Sequence, residues 1–281
     1  MIPKVFYMCD KTLDNIKIYS KNWTNLNPDY EMKLYDNPMC EKFLLNEYSQ
    51  SHCNIFRGIP DGPIKADFWR VCILYKYGGV YVDADNEPLV PLSAYIDESA
   101  DFVTCSSYWD EMKFKFNPNF IMAKAGDQIL KDSIDMYVRW FNNKFPYEYW
   151  KWSIMNVFTK VIHLNNYNCQ DGIYYMGDKK VQIIKEFPGK DLYDAHNIYN
   201  SVRVFNNRYQ NWNADTHQFN PTVNNKWKNK HNQQKQKNIH HHKSTIVNQM
   251  ATSTASNPKI IHKKTLAKAA TRFGQIKKML I

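Results

Sequence analysis

Apolar and polar positions change period several times along the first half of the chain. "KVFYMC", residues 4–9, is a short apolar run of strand length. "LDNIKIYSKNWTNLNP", residues 13–28, has loose helical spacing and stops at Asn27-Pro28, which predicts a helix and its end. "YEMKLYD", 30–36, alternates as a strand does, and 38–48 reads as a helix. In "GPIKADFWRVCILYKYGG", 62–79, Pro63 suits a first helical turn and Gly78-Gly79 a stop. "VYVDAD", 80–85, follows as a strand, with further strands at 101–108 and 119–125. "DQILKDSIDMYVRWFNN", from Asp127, and "WSIMNVFTKVIHL" predict helices, and "GIYYM", "KVQIIKE" and "SVRVFNN" late strands. This alternation predicts an α/β fold, with parallel strands in the first half.

Near residue 215 the pattern ends. The stretch to Pro258 is rich in Asn, Gln and Lys and poor in core formers, so 215–258 is expected to be a disordered linker. Beyond it, "KIIHKKTLAKAATRFGQIKKMLI", 259–281, fits a weakly amphipathic basic helix. Residues 1–214 are then the folded domain. The net charge of +10 misleads: residues 226–281 hold 13 Lys/Arg and no acid, and residues 1–225 carry −3. The body thus has no charge excess suited to a nucleic-acid groove, whereas the tail suits anionic membrane, nucleic acid or a protein partner.

The six cysteines are scattered without a CxxC or Cys/His cluster, which predicts buried reduced thiols. The opening "MIPKVFYMCDKT" lacks a signal-peptide pattern, and no run of about 18 apolar residues is present to span a membrane. These features set the expectation of a cytoplasmic protein, in a bacterial or viral setting.

Candidate chemistry centres on "GGVYVDADNEPL", 78–89. Asp83 and Asp85 share a face if strand geometry runs that far. Two carboxylates held together raise each other's proton affinity unless a cation offsets them. Just upstream, Asp67 and Arg70 are three apart and share a helix face.

The order of these features is specific. "KADFWRVCILYKYGGVYVDAD" resembles the signature of the DXD-containing sugar-transferase family, glycosyltransferase family 32, related to the catalytic domains of large clostridial glucosylating toxins. The opening "IPKVFY" and "NPDYEMKLYD" are similar to the family's first strands. The resemblance covers residues 2–125 well and 126–213 loosely. It implies a GT-A type nucleotide-sugar-binding fold, a mixed central sheet flanked by helices. It also implies a metal-dependent, retaining transfer from a nucleotide sugar, UDP-sugar favoured, to a glycan, lipid-linked or protein hydroxyl. The cation would be Mn²⁺ or Mg²⁺, which suits hard oxygen ligands.

By the same resemblance, Asp85 would ligate the metal and Asp83 would bridge toward ribose or sugar. Tyr81 would lie beside the ribose, and Asp67 and Arg70 would hold sugar hydroxyls and orient the donor. Phe6 and Tyr7 would border the base, although Tyr7-Met8 stands where the family usually has His-Gln. The family closes its site with a late loop bearing Trp and a polar metal ligand. Here the candidates are His196, for the metal, and the stretch around Asn206, Arg208, Trp212 and His217, with Trp212 over the donor. Two other readings compete: metal-dependent phosphoryl or nucleotidyl transfer, which needs further acidic ligands for two ions, and binding of nucleic acid or anionic membrane through the basic tail.

Overall fold

The computed structural model describes residues 1–108, 114–188, 195–207, 212–213 and 218–219. The chain divides into two units, Met1–Phe219 and Asn220–Ile281. Strand Gln218–Phe219 falls inside the stretch read as linker; the rest of that linker and the basic tail lie outside the described residues.

The first unit opens with β1 (Val5–Cys9), α1 (Leu13–Leu26) and β2 (Glu31–Tyr35). Three helices follow: α2 (Asn37–Glu47), α3 (Gln50–Gly58) and α4 (Gly62–Tyr77). Then come β3 (Gly79–Val82), β4 (Asn86–Pro88), a short 3₁₀ turn at Leu92–Ala94, β5 (Phe102–Ser106) and β6 (Phe120–Ala123). Helices α5 (Gln128–Asn142), α6 (Tyr149–Trp152) and α7 (Ile154–Val161) precede β7 (Gly172–Met176), β8 (Lys179–Phe187), β9 (His196–Tyr199) and β10 (Val202–Asn207). A small ribbon pairs β11 (Trp212–Asn213) with β12 (Gln218–Phe219).

Local chemistry explains the helix ends. The Asp36, Ser49, Asp127 and Ser153 side chains accept backbone N–H groups at the starts of α2, α3, α5 and α7. Pro63 opens α4, and Gly78 ends it at φ +65°.

The α/β expectation holds, with a mixed sheet. Its order is β2-β1-β3-β6-β5-β8-β9-β10-β4, with β7 added on β8. β1 runs parallel to β2 and β3, and β5 parallel to β8. β6 is antiparallel to both of its neighbours, β3 and β5. Helices cover both faces of β1, so its alternate residues enter two cores. Tyr7 and Cys9 pack with Phe68, Trp69 and Leu74 of α4. Phe6 and Met8 pack with Ile16 and Trp23 of α1.

Two topological facts locate the crevice. First, β1 lies between β2 and β3, so the chain leaves β1 to one side and returns on the other. In open α/β sheets such a switch point binds ligands outside the carboxyl ends of its strands, here at Asp10 and Asp83. Second, β3 and β4 are joined by only three residues yet lie far apart in the sheet order, with β4 at its end. The sheet therefore curls back on itself and meets again at Asp83-Ala84-Asp85. Through this closure β10 reaches the acidic stretch, with Asn207 opposite Asn86 and Asn206 opposite Glu87.

Candidate active site

The acidic pair sits on a turn. β3 ends at Val82, and the Asn86 N–H donates to the Asp83 carbonyl at 3.0 Å, closing a four-residue turn. Strand alternation thus stops short of Asp85, and the turn, not the pleat, groups the two carboxylates. The Asn119 carbonyl accepts both the Asp83 N–H, 2.9 Å, and the Asn86 side-chain amide, 2.9 Å. On the other side the Trp23 indole N–H donates to the Asn86 carbonyl at 3.0 Å.

Behind the turn lies a buried charge network. One guanidinium nitrogen of Arg70, Nη2, bridges Asp67 Oδ1 and Asp83 Oδ1, each at 2.9 Å. The other, Nη1, donates to the Pro118 carbonyl at 2.7 Å. The second Asp67 oxygen accepts the Ile154 N–H at 2.9 Å. The Tyr81 hydroxyl donates to Asp83 Oδ1 at 2.9 Å, and its ring lies 4.2 Å from the Arg70 guanidinium carbon. Burial pushes Asp67 up to about 6, against the pull of Arg70 and the Ile154 N–H. Burial likewise raises Asp83, while Arg70 and the Tyr81 hydroxyl pull it back.

This geometry redistributes the expected roles. Asp67 and Arg70 are brought to Asp83 as the helix spacing implies, but their side chains are only 7% and 5% exposed. Their bonds run to one another, to Asp83 and to backbone, so in this structure they position Asp83. Tyr81 is buried against Trp69 and Arg70, with its hydroxyl donating to Asp83. Phe6 and Tyr7 are also buried, because β1 is a central strand covered on both faces. The exposed crevice at the end of β1 is instead Asp10-Lys11-Thr12, which the apolar pattern gave no reason to single out; the β2-β1-β3 order reveals it.

His196 pairs with Asn206 across β9 and β10, and its ring stacks on Phe187 at 5.8 Å. Among the described residues no group of three or more His, Cys, Asp and Glu side chains is gathered as for a metal ion. Asn206 reaches the acidic stretch, its amide donating to Glu87 Oε2 at 2.9 Å. Trp212 pairs by its backbone with Phe219; its side chain, with Arg208 and His217, lies outside the described residues.

The donor set still fits a hard divalent cation. Asp83 Oδ1 is held by Arg70 and Tyr81, and the Asp83 side chain stays 27% exposed. Asp85 is half-buried two residues on. A site of this kind draws its other ligands from phosphate and water.

Residues 14–102 match the family described as "Glycosyltransferase sugar-binding region containing DXD motif". An initiation-specific alpha-1,6-mannosyltransferase of Candida albicans is 35% identical over 83 residues, 29% of this chain and 22% of that protein. Inositol phosphoceramide mannosyltransferase 3 of Schizosaccharomyces pombe is 33% identical over 100 residues, 34% of this chain and 28% of that protein. The matched segments thus span about a quarter of those relatives. Among solved structures, the PaToxG glycosyltransferase aligns with a TM-score of 0.45 and 16% identity, covering 57% of this chain and 67% of that one.

These relatives overturn the cytoplasmic expectation: the shared region belongs to yeast mannosyltransferases, one of them named for a ceramide lipid. The physical ground for that expectation was also weak. Cys9, Cys40, Cys53, Cys72 and Cys105 are unpaired and buried, and a buried thiol survives in either redox setting. No helix among the described residues is long and apolar enough to cross a membrane.

Proposed function

We propose that this chain, whose residues 14–102 match the DXD-containing glycosyltransferase family, transfers a sugar from a nucleotide-sugar donor to a hydroxyl acceptor. The observation that carries the reading is the turn itself. Asp83 and Asp85 stand at the carboxyl end of β3, beside the switch point, with Asp83 fixed by Arg70 and Tyr81. Asp85, aided by Asp83, would hold a divalent cation, Mn²⁺ or Mg²⁺. Such an ion supplies positive charge against that building on the departing diphosphate.

The chain's own groups do the rest. Arg70 and Tyr81 keep the Asp83 carboxylate aimed at the crevice. Asp10-Lys11-Thr12, at the end of β1, would border the nucleoside, in place of Phe6 and Tyr7. The relatives' names favour mannose as the sugar and leave a glycan or a lipid-borne headgroup as acceptor classes. We read the transfer as retaining, with the leaving phosphate helping to take the acceptor proton; an inverted anomer in the product would exclude this.

The test is a donor panel. GDP- and UDP-linked hexoses are incubated with the protein and Mn²⁺ or EDTA, with and without simple sugar acceptors, and free nucleoside diphosphate is followed. Release with one donor, lost in EDTA and in Asp85→Ala, is expected. If no donor is consumed and none raises the melting temperature with Mn²⁺, the reading is wrong.

A further inference from the structure

Only Asp83-Ala84-Asp85 separate β3 from β4. Arg70 and Tyr81 fix the Asp83 side chain at the near end of this turn. The far end is held by other groups, and they converge on Asn86, which is fully buried. Its N–H donates to the Asp83 carbonyl at 3.0 Å and closes the turn. Its carbonyl accepts the Trp23 indole N–H, from α1, at 3.0 Å. Its side-chain amide donates to the Asn119 carbonyl, just before β6, at 2.9 Å. On β10, Asn207 stands opposite it. The last residue of the turn is thus tied to three separate elements.

Those elements are locked to one another. Trp23 of α1, Phe120 of β6 and Phe205 of β10 are fully buried and form an aromatic triad. Ring centroids lie 6.0 Å apart for Trp23 with Phe120 and with Phe205, and 5.5 Å apart for Phe120 with Phe205. Asn119 directly precedes Phe120, and Asn207 stands two residues beyond Phe205. A shift of the turn must therefore break the bonds of Asn86 or move the triad.

Packing alone does not account for an asparagine at this position. Its Oδ1 is buried with no hydrogen-bond partner among the described residues, and a buried acceptor left unpaired is costly. An apolar side chain would avoid that cost, and the Asn119 carbonyl would keep the Asp83 N–H. The side chain is better explained by what it holds than by the space it fills. Ligands that share a cation have to be held to within about 0.5 Å.

Resting on the metal-dependent transferase reading, we propose that Asn86 and Trp23 are positioning residues for the cation. They orient Asp85 through the far end of the turn, as Arg70 and Tyr81 orient Asp83 from the near end.

The experiment measures Mn²⁺ affinity from the paramagnetic resonance signal of free aqueous Mn²⁺, with a nucleoside diphosphate present. Asn86→Ala should weaken Mn²⁺ binding about 10- to 100-fold, the usual effect of removing a group that orients a metal ligand. Saturating Mn²⁺ should return its donor hydrolysis to the wild-type kcat, a split that destabilisation alone does not produce. Trp23→Phe removes the second tie and keeps a ring in the triad. It should weaken Mn²⁺ binding in the same direction, and it decides the matter if Asn86→Ala does not fold. Asn197→Ala is the control. Asn197 is fully buried nearby, with its Oδ1 3.5 Å from the Asn119 side-chain amide. Its replacement should lower the melting temperature and leave Mn²⁺ affinity unchanged. Wild-type Mn²⁺ affinity in either folded variant, or an equal loss in Asn197→Ala, would overturn the proposal and leave the transferase reading standing. A wild-type protein that binds no Mn²⁺, or whose binding survives Asp85→Ala, would remove the metal reading and the proposal together.

Discussion

At the scale of single residues, Arg70 is the centre of the site. It is buried, joins two carboxylates and one carbonyl, and lies on the Tyr81 ring. A lysine cannot reproduce the planar fork that reaches Asp67, Asp83 and Pro118 together. Arg70→Lys is therefore expected to lower kcat/KM on the order of 10²-fold through misplacement of Asp83, with Mn²⁺ affinity weakened in parallel. Arg70→Ala leaves buried carboxylates uncompensated and should cost about 3–5 kcal/mol in chemical denaturation. Tyr81→Phe removes one bond to Asp83 and keeps the ring packing. It should leave the melting temperature near wild type and lower activity less than Arg70→Lys. Equal activity losses in the two variants would refute this ranking of Arg70 above Tyr81.

At the scale of elements, glycine and histidine positions make separate claims. Gly79 begins β3 at φ +108°, and a Cβ there would lie 2.7 Å from the Val5 carbonyl oxygen. Gly79→Ala is expected to destabilise on the order of 3 kcal/mol, by urea titration, because β3 must approach β1 closely. In α3, the Ser49 hydroxyl bonds His52 Nδ1 at 2.9 Å, and the ring is half-buried beside Tyr48 and Phe68. Burial lowers His52 below its ordinary 6.5. The native state then binds fewer protons than the unfolded one just below that pH. Stability is fully present above about 6.5 and is lost as pH falls toward the lowered native value. Melting curves from pH 7.5 to 5 should show this decline, and His52→Asn should flatten it.

These elements also show what the sequence could and could not disclose. Strands β1 to β3 and helices α1, α2, α4 and α5 are legible, since each keeps one period over its length and most end on Pro, Asn or Gly. Helix α3 escapes the periodicity, though Ser49 as cap and Gly58 at the end are sufficient signals. The acidic motif is plain, and so is its pairing with Asp67 and Arg70. What they do is not. The ligand roles of Phe6, Tyr7 and Tyr81 come from the family resemblance and not from the pattern, and the structure buries all three side chains. The Ile154 N–H that holds Asp67 cannot be found by pattern either, because the two residues are far apart in the sequence.

At the scale of the whole molecule, the basic tail and the domain carry different properties. The 13 basic side chains of residues 226–281 stand far along the sequence from the acidic motif. A chain ending at residue 225 is expected to keep its donor hydrolysis and donor affinity in solution and to lose binding to anionic vesicles or polyanions. A folded but inactive truncation would show that the tail belongs to the site.

The sheet order has one further consequence, for modularity. The family-matched segment, residues 14–102, looks like a unit that recombination could move between proteins. It is not one. In this fold β3 is flanked by β1 and β6, both outside the segment, and Asp67 depends on the Ile154 N–H. Excised, the segment would carry its acidic motif on a strand with two bare edges. The inheritable unit is larger than the recognisable one: a transplant of this chemistry must carry the flanking strands and the segment around Ile154 along with the motif.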